Sequence, residues 1–379
     1  MRTEIVLFSP GDGQTRCARL SRSFIQAMTL SHTLERMDAL RRFATGALAS
    51  ANLEIEPASA DASFRSYWRV RSAGSGARIV MDAPPDKENL GPWLDIAARL
   101  RACGLHAPEV FAVDRDHGFV LMEDLGTRTY LPELNEASAD ALYGEALDAL
   151  AQMQAGADAR GLPGYDRTLL VSELERMPEW FLGHHLGFTP SCDEWDIVEA
   201  AFTFLVNAAL EQPQAFLHRD FHSRNLLIIE GGAHAGNAGL RASPGIIDFQ
   251  DALRGPVTYD LVSLLRDCYI EWDAARVETW MESHRQRLRH AHVIDAGVDH
   301  ARFRRWFDLA GLQRHLKVLG NFTRLWYRDG KPQYLADLPL VWRYVTQVAR
   351  GYPELAAFVA LLERALGGRD ITQVREAVA

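Results

Sequence analysis

Hydrophobic positions fall into two regimes along the chain. Over 34–48 they recur at helical spacing (Leu34, Met37, Leu40, Phe43, Leu48), which predicts an amphipathic helix. The segments 63–71 and 78–81 read as strands, separated by the turn Ser72-Ala73-Gly74-Ser75-Gly76. Segment 82–86, with its two prolines, ends the second strand, and 93–103 reads as a helix closed by Gly104. Two more apolar stretches, 110–113 and 118–122, predict a hairpin around 114–117. After Leu125-Gly126 helical periodicity takes over, at 137–153, 172–182, 193–210, 259–272 and 302–319. Two short apolar stretches, 225–229 and 245–249, interrupt it, and the Gly, Ala and Ser-rich 230–244 between them reads as a surface loop.

The expectation is therefore an α+β chain with a strand-rich first third and a helical remainder. Its divisions are a polar N-terminal extension at 1–30, open to disorder, a sheet-bearing lobe at 31–125 and a helical lobe at 126–379. Met28 or Met37 are alternative starts.

Composition narrows the functional classes. A net charge of −9 argues against a broad nucleic-acid surface, which needs a clustered cationic face. The four cysteines, at 17, 103, 192 and 268, form no CxxC pair, so neither zinc nor redox chemistry is supported. Scattered thiols fit a reducing cytoplasm. No apolar run approaches the ~20 residues of a membrane helix, and the opening segment makes a poor signal peptide. No obligate protein partner is inferred.

The chemistry concentrates in His218-Arg219-Asp220-Phe221-His222-Ser223-Arg224-Asn225, which matches H-R-D-x-x-x-x-N, the catalytic loop of kinase-type phosphoryl transfer. In that scheme Asp220 orients the acceptor hydroxyl and takes its proton, while Asn225 offers a neutral oxygen to a hard cation. The second element decides the reading. Gly245-Ile246-Ile247-Asp248-Phe249-Gln250 delivers a carboxylate at the end of an apolar stretch, where kinases carry D-F-G. Asp248 and Asn225 are expected to share Mg²⁺ beside the phosphates of ATP. Gln250 stands in place of the glycine, so protein-kinase activation-loop switching does not follow.

The run 216–272 resembles the aminoglycoside phosphotransferase and choline kinase superfamily, and within it the anomeric N-acetylmuramate/N-acetylglucosamine kinases of bacterial cell-wall recycling. The resemblance rests on LHRDFHSRNLLI (217–228), GIIDFQDALRGPVTYDLVSLLRDCYIEW (245–272), SFRSYWRV (63–70) and VMDAPPDKENL (80–90), and it covers most of 30–350. It implies a protein-kinase-like two-lobed fold, with a small antiparallel-sheet lobe and a larger helical lobe. It also implies ATP-dependent phosphorylation of the anomeric hydroxyl of a free amino sugar.

Other positions carry less information. Ser63 and Arg65 sit where a kinase has its glycine-rich hairpin, and side-chain donors there would replace backbone approach. The lysine of the third strand is missing: Met81 and Asp82 end that strand, and the nearest cations are Arg78 and Lys87, with Glu88 as the candidate pairing carboxylate. Met122, Glu123 and Leu125 fall where a kinase hinge reads adenine through its backbone. Asp260 opens a helix, and a simple N-cap is the plain alternative; the favoured reading follows the superfamily, in which the matching carboxylate steadies the catalytic loop from below. His218 reads as structural rather than as a base. His222, Arg224, Asp251, Arg254 and Arg324 are candidate sugar contacts, Arg324 for the carboxylate of an acidic sugar. Solvated arginines on a helix that packs Phe322, Leu325 and Trp326 inward are the plain alternative. Of the helical tryptophans Trp180, Trp195, Trp306 and Trp326, most are expected in the core. Rival functions are a choline, homoserine or aminoglycoside kinase of the same superfamily, and a non-catalytic nucleotide-binding scaffold.

Overall fold

A computed structural model describes residues 22–60, 64–72, 75–229 and 243–375. The described residues divide into two compact units. One is built from the chain up to Leu90 and from Glu109–Asp124, the other from Gly91–Pro108 and from Leu125 onward.

The first unit holds α1 (Arg22–Leu48), β1 (Leu53–Ala60), β2 (Ser66–Ser72) and β3 (Ser75–Asp82), with β4 (Val110–Asp114) and β5 (Phe119–Glu123) returning later in the chain. The strands form one antiparallel sheet in the order β1-β2-β3-β5-β4. The helical stripe read from the sequence is the face that covers it: Leu40 and Ala44 are fully buried against Val70, Val80 and Leu121, and Phe43 stacks on Phe119 at 5.7 Å. Truncating a buried leucine such as Leu40 to alanine costs about 3 kcal/mol. Arg36 fastens the helix to the sheet, donating from Nε to Asp82 at 2.8 Å and from Nη2 to the His117 carbonyl at 2.8 Å. Beside them Gly118 has φ +74°, and a Cβ there would lie 1.9 Å from the Ala83 carbonyl oxygen, so only glycine fits.

The second unit is helical: α2 (Leu90–Ala102, all but its first residue), α3 (Tyr130–Glu133), α4 (Ala139–Gly156), α5 (Arg167–Leu174), a π-helix (Met177–Leu186) and α6 (Cys192–Leu210). Two two-stranded ladders follow, β6 (Gln214–Leu217) with β9 (Leu253–Pro256) and β7 (Leu226–Leu227) with β8 (Gly245–Ile246). The chain closes with α7 (Tyr259–Leu265), α8 (Ala274–His290), α9 (His300–Tyr327), a 3₁₀ turn (Pro332–Asp337), α10 (Leu338–Ala349) and α11 (Ala356–Leu366). The spine is α9, buried almost continuously from Trp306 to Thr323, with the π-helix, α6, α7 and α10 packed on it. Its Gly320 meets the backbone of Arg176, where a Cβ would come within 2.4 Å of the carbonyl carbon. That contact forbids any larger side chain.

Several expectations change. The first helix starts at Arg22, so 22–30, expected as an extension open to disorder, is helical; residues 1–21 lie outside the described residues, as does 230–242 of the expected loop. Strand β1, with alternating Leu53, Glu54, Ile55 and Glu56, went unread. The helix expected at 172–182 is two elements, α5 and the π-helix, with Pro178 near the start of the second. The helix expected at 259–272 stops at Leu265, where Arg266 leaves helical geometry (φ −121°, ψ 53°). Of the four helical tryptophans only Trp306 is fully buried. Trp195 is exposed, and Trp180 and Trp326 are half-buried, Trp180 stacking on His184 at 4.6 Å. Cys103, Cys192 and Cys268 are free thiols, and no helix among the described residues is long and apolar enough to cross a membrane.

Three fully buried imidazoles tie stability to pH. Burial pushes His218 down to about 4, and His284 and His315 down to about 3. Each folded value lies below the unfolded one of ~6.5, so the unfolded chain binds the extra proton in between. The stability they permit is fully present above that value and is lost as pH falls towards 4. At pH 5 the loss is about 2 kcal/mol per ring. Urea unfolding at pH 7.5 and 5.0 should show a drop of several kcal/mol, made smaller by His315→Gln; a flat profile would contradict neutral buried rings.

Candidate active site

Within the second unit, β6 delivers the chain into the loop 218–225 and β7 takes it out. Both ends are held from beneath by carboxylates. Asp260, at the start of α7 and fully buried, accepts from the backbone N–H of His218 at 2.7 Å and of Arg219 at 2.9 Å. Asp267, just past the end of α7, accepts from the Ser223 N–H at 3.0 Å and from its hydroxyl. The early end of α7 thus has a use: the chain turns out of the helix and brings Asp267 under the loop.

His218 is fully buried. Its Nε2–H donates to the Ile247 carbonyl at 3.1 Å and its Nδ1 accepts from the Asp220 N–H at 3.3 Å. This pattern requires the neutral ring, in keeping with its depressed pKa, and leaves it no role as a base.

Arg219 adopts φ +79°, a left-handed conformation that costs a non-glycine residue about 1–2 kcal/mol. Two contacts hold it there. Its N–H is fixed by Asp260, and its guanidinium bonds Glu173 of α5, which is wholly buried. Glu173 also bonds the Tyr165 hydroxyl and pairs with Lys317 Nζ of α9 at 3.2 Å; Lys317 reaches the Tyr259 hydroxyl at 3.2 Å as well.

The ladder between β7 and β8 aligns the two motifs. Leu226 pairs with Ile246, and the Ile247 N–H donates to the Asn225 carbonyl at 3.2 Å, so the next residue, Asp248, arrives beside Asn225. Asn225 Nδ2 donates to the Asp220 carbonyl at 3.0 Å and to Asp248 Oδ2 at 3.2 Å. Its Oδ1 is left as an acceptor. Asp248, at φ +62°, accepts from Gln250 Nε2 at 3.0 Å, and Phe249 packs on Trp93 of α2 at 5.2 Å. The two strained residues of this loop system, Arg219 and Asp248, flank the chemistry, as strain at functional sites does.

Charge follows geometry. Burial works to raise the Asp220 carboxyl, but Lys317 foremost, then His222, Arg314 and Arg219, outweigh it and keep the group ionised below the usual carboxylate range. Asp260 is pushed up to about 7 by burial, aided by the Asp220 charge, against the two N–H groups that favour its ionised form. Asp248 and the Asn225 amide present hard oxygen donors side by side. No group of three His, Cys, Asp or Glu side chains suited to a metal occurs among the described residues. A two-donor site fits Mg²⁺, which is held by one or two protein oxygens and takes the rest from phosphates and water.

The other expected residues divide. His222, half-buried, sets its ring edge-on to Tyr269 at 5.6 Å and leaves Nδ1 without a hydrogen bond, while Arg224 lies 3.4 Å over the Tyr269 ring. Arg324 stands further along α9. Asp251 and Arg254 are exposed, with no side-chain bond to the loop among the described residues. Ser63 lies outside the described residues, and Arg65 is buried in the first unit. Met122 and Glu123 end the wholly buried β5, Glu123 bonding the Glu109 N–H through its carboxylate at 3.1 Å, and Leu125 belongs to the second unit. Lys87 lies 5.1 Å over Phe64, and Glu88 accepts from the Phe64 N–H, so neither forms the cation–carboxylate pair sought on the third strand. Such a pair does exist on the neighbouring strand: Arg69 of β2 binds Asp124 at 2.5 Å.

Glu173, Lys317 and Asp267 were missed. Each sits on or beside a helix, where a lone charge is indistinguishable from a solvated one, and only a charged residue inside an apolar stripe hinted otherwise.

The phosphotransferase enzyme family model (APH) matches residues 54–306. The chain is 38% identical to the N-acetylmuramate/N-acetylglucosamine kinase of Pseudomonas putida, over 91% of this chain and 97% of that protein. It is 41% identical to the protein of that name from Pseudomonas aeruginosa, over 82% and 88%. Its fold matches a choline/ethanolamine kinase family protein from Mesorhizobium loti with a TM-score of 0.55 at 15% identity, over 87% and 99%.

Replacing Glu173 with Gln strands two buried cations, Arg219 and Lys317. Loss of one partner from such a pair should lower stability by about 3 kcal/mol in urea unfolding. A change under about 1 kcal/mol would mean that Glu173 does not brace the loop.

Proposed function

The chain belongs to the phosphotransferase enzyme family, and we propose that it is an ATP-dependent kinase acting on the anomeric hydroxyl of N-acetylmuramate, N-acetylglucosamine or both. The observation that carries this reading is the convergence of Asn225 on the Asp220 carbonyl and the Asp248 carboxylate. A binding scaffold has no need of an ionised carboxylate at the 220 position. The acceptor is argued from the names of the relatives, aligned over most of both chains. Recovery of peptidoglycan amino sugars in the cytoplasm, where ATP is at hand, is the setting that fits.

In this reading Asp220 aligns the sugar hydroxyl and accepts its proton as the O1–P bond forms and the bond from phosphorus to the β,γ-bridging oxygen breaks, releasing ADP. A low proton affinity suits that role, because in a loose transfer the proton moves late. Asp248 and Asn225 Oδ1 would hold Mg²⁺, which neutralises charge on the β- and γ-phosphates. Asp260, Glu173 and Lys317 position the loop without touching substrate. Arg65 and the backbone at Met122, Glu123 and Leu125 stay with the nucleotide, and His222, Arg224 and Arg324 with the acceptor. Asp251 and Arg254 have less support, since both are exposed and unconnected to the loop through their side chains.

Incubation with ATP, Mg²⁺ and each sugar should yield a sugar phosphate by mass spectrometry, with phosphorus NMR placing the ester at C1. Asp220→Ala should lower kcat by roughly 10²–10⁴, with Mg-ATP affinity by calorimetry within about threefold. Rejection of both sugars would overturn the acceptor assignment, and an Asp220→Ala variant as fast as the parent would overturn the role of that carboxylate.

A further inference from the structure

The buried and half-buried arginines of the second unit are, as a rule, answered by carboxylates: Arg219 by Glu173, Arg266 by Asp308, Arg285 by Glu282, Arg287 by Asp148. Arg314, bonded to Cys268 Sγ at 3.2 Å, has the charges of Asp220 and Asp267 nearby. Half-buried Arg289, on Gln286, and Arg305, over the Phe204 and Tyr352 rings, go without a carboxylate. So do Arg176 and Arg324. Neither has a carboxylate at ion-pair distance among the described residues. Both stand where α9 meets the residue just before the π-helix, the approach that Gly320 makes possible, and the Arg176 charge is felt at Arg324. Arg176 Nη1 donates to Asn321 Oδ1 at 3.0 Å, which leaves Asn321 Nδ2 as one more donor. Arg324 Nε is buried and bonds nothing. Burial, then the charges of Arg176 and Arg328, weaken the hold of Arg324 on its proton, as like charges crowded together must. Arg328 itself is engaged with Asp329 at 2.7 Å. The charges of Asp329 and Glu179 are felt at Arg324, but neither carboxylate is bonded to it, and the cluster stays rich in donors.

Its position relates it to the chemistry. Arg324 follows Lys317 by seven residues, so the two share one face of α9 about two turns apart, or about 10 Å. Helical side chains lean towards the helix N-terminus, which carries the Arg324 guanidinium back towards Lys317. Arg176 approaches from the other side, three residues beyond Glu173. The cluster is therefore the next layer above the Glu173–Lys317–Arg219 brace, on the same helix whose Lys317 and Arg314 act on Asp220.

We propose that Arg176 and Arg324, with Asn321, form a carboxylate-binding subsite for the acceptor and determine the preference for an acidic over a neutral amino sugar. The inference rests on the proposed sugar-kinase reading. N-acetylmuramate is N-acetylglucosamine with a lactyl ether at O3, so the two acceptors differ by one carboxylate across the ring from the reacting hydroxyl. Two guanidinium groups and an amide donor suit that group, and paired Arg–carboxylate bonds are the strong, directional kind.

The test compares kcat/KM for the two sugars in the parent, Arg324→Gln, Arg176→Gln and Arg324→Lys. Loss of one charged hydrogen-bond donor corresponds to roughly 10- to 100-fold. The acid-to-neutral ratio should fall by that factor in each glutamine variant, through KM for N-acetylmuramate, and recover in part with lysine. Melting temperatures near that of the parent identify the folded variants, and the lysine variant keeps the comparison open if a glutamine variant is unstable. A ratio that stays constant while the parent phosphorylates both sugars overturns the subsite and leaves the kinase reading intact. A parent that accepts only the neutral sugar does the same. A parent that accepts neither sugar overturns the reading and the subsite together.

Discussion

One buried carboxylate sets the geometry of the site. Asp260 takes the N–H groups of two successive residues, His218 and Arg219, and by doing so dictates where the loop begins its turn. Successive amides point at one acceptor only if the backbone bends sharply, and Arg219 makes that bend with a positive φ. The next residue is Asp220, so its direction is fixed by a bond that it does not make. The arrangement is pre-organisation in a concrete sense: strain of about 1–2 kcal/mol is held in one residue so that its neighbour needs no adjustment.

The brace depends in turn on α9. A helix that supplies Gln313, Arg314, Lys317, Asn321 and Arg324 to one region while burying Leu309, Leu312, Leu316 and Leu319 on its apolar side is a rigid ruler for polar groups. Its core packing fixes the spacing of its charges to that of helical turns. The exclusion of any side chain at Gly320 brings the backbone before the π-helix close enough for Arg176 to reach that ruler. Packing and electrostatics are here one constraint, since shifting α9 by a turn would move every cation together.

What could be read from the chain was what local pattern encodes. The loop motif and the Ile-Ile-Asp strand end were legible because their spacing is dictated by chemistry, and the structure brings Asn225 and Asp248 within 3.2 Å. The hairpin of β4 and β5 and the stripe of α1 were legible because amphipathic periods survive without tertiary context. Helix α8 was not, for Arg276, Glu282, Arg285 and Arg287 pair along the helix or with α4 and its approach, and so blur its stripe. The stop of α7 at Leu265 was illegible for a similar reason: nothing local breaks the helix, and the tertiary demand of Ser223 on Asp267 does. What stands in for the missing third-strand lysine was not legible, because a cation–carboxylate pair can form on any neighbouring strand. Arg78 of β3 lies over Phe111, and the pair with a carboxylate is made by Arg69 on β2.

The charge balance beneath the loop ties these observations together. Five carboxylates, Glu173, Asp220, Asp248, Asp260 and Asp267, surround it, against three cations, Arg219, Arg314 and Lys317. If all ionise, two negative charges are in surplus inside a region that water reaches poorly, a costly state. Asp260 registers the surplus: although two N–H groups favour its charged form, burial and the Asp220 charge carry it up to about 7. Lys317 and Arg314 lie on the α9 side and keep Asp220 ionised, so the deficit of positive charge falls on the Asn225–Asp248 side. That is where two oxygen donors already stand together, and a divalent cation there would restore neutrality without displacing any bond of the brace. A lysine beside Asp248 would neutralise that carboxylate permanently, and the site would lose the negative field that draws in a metal with its phosphates.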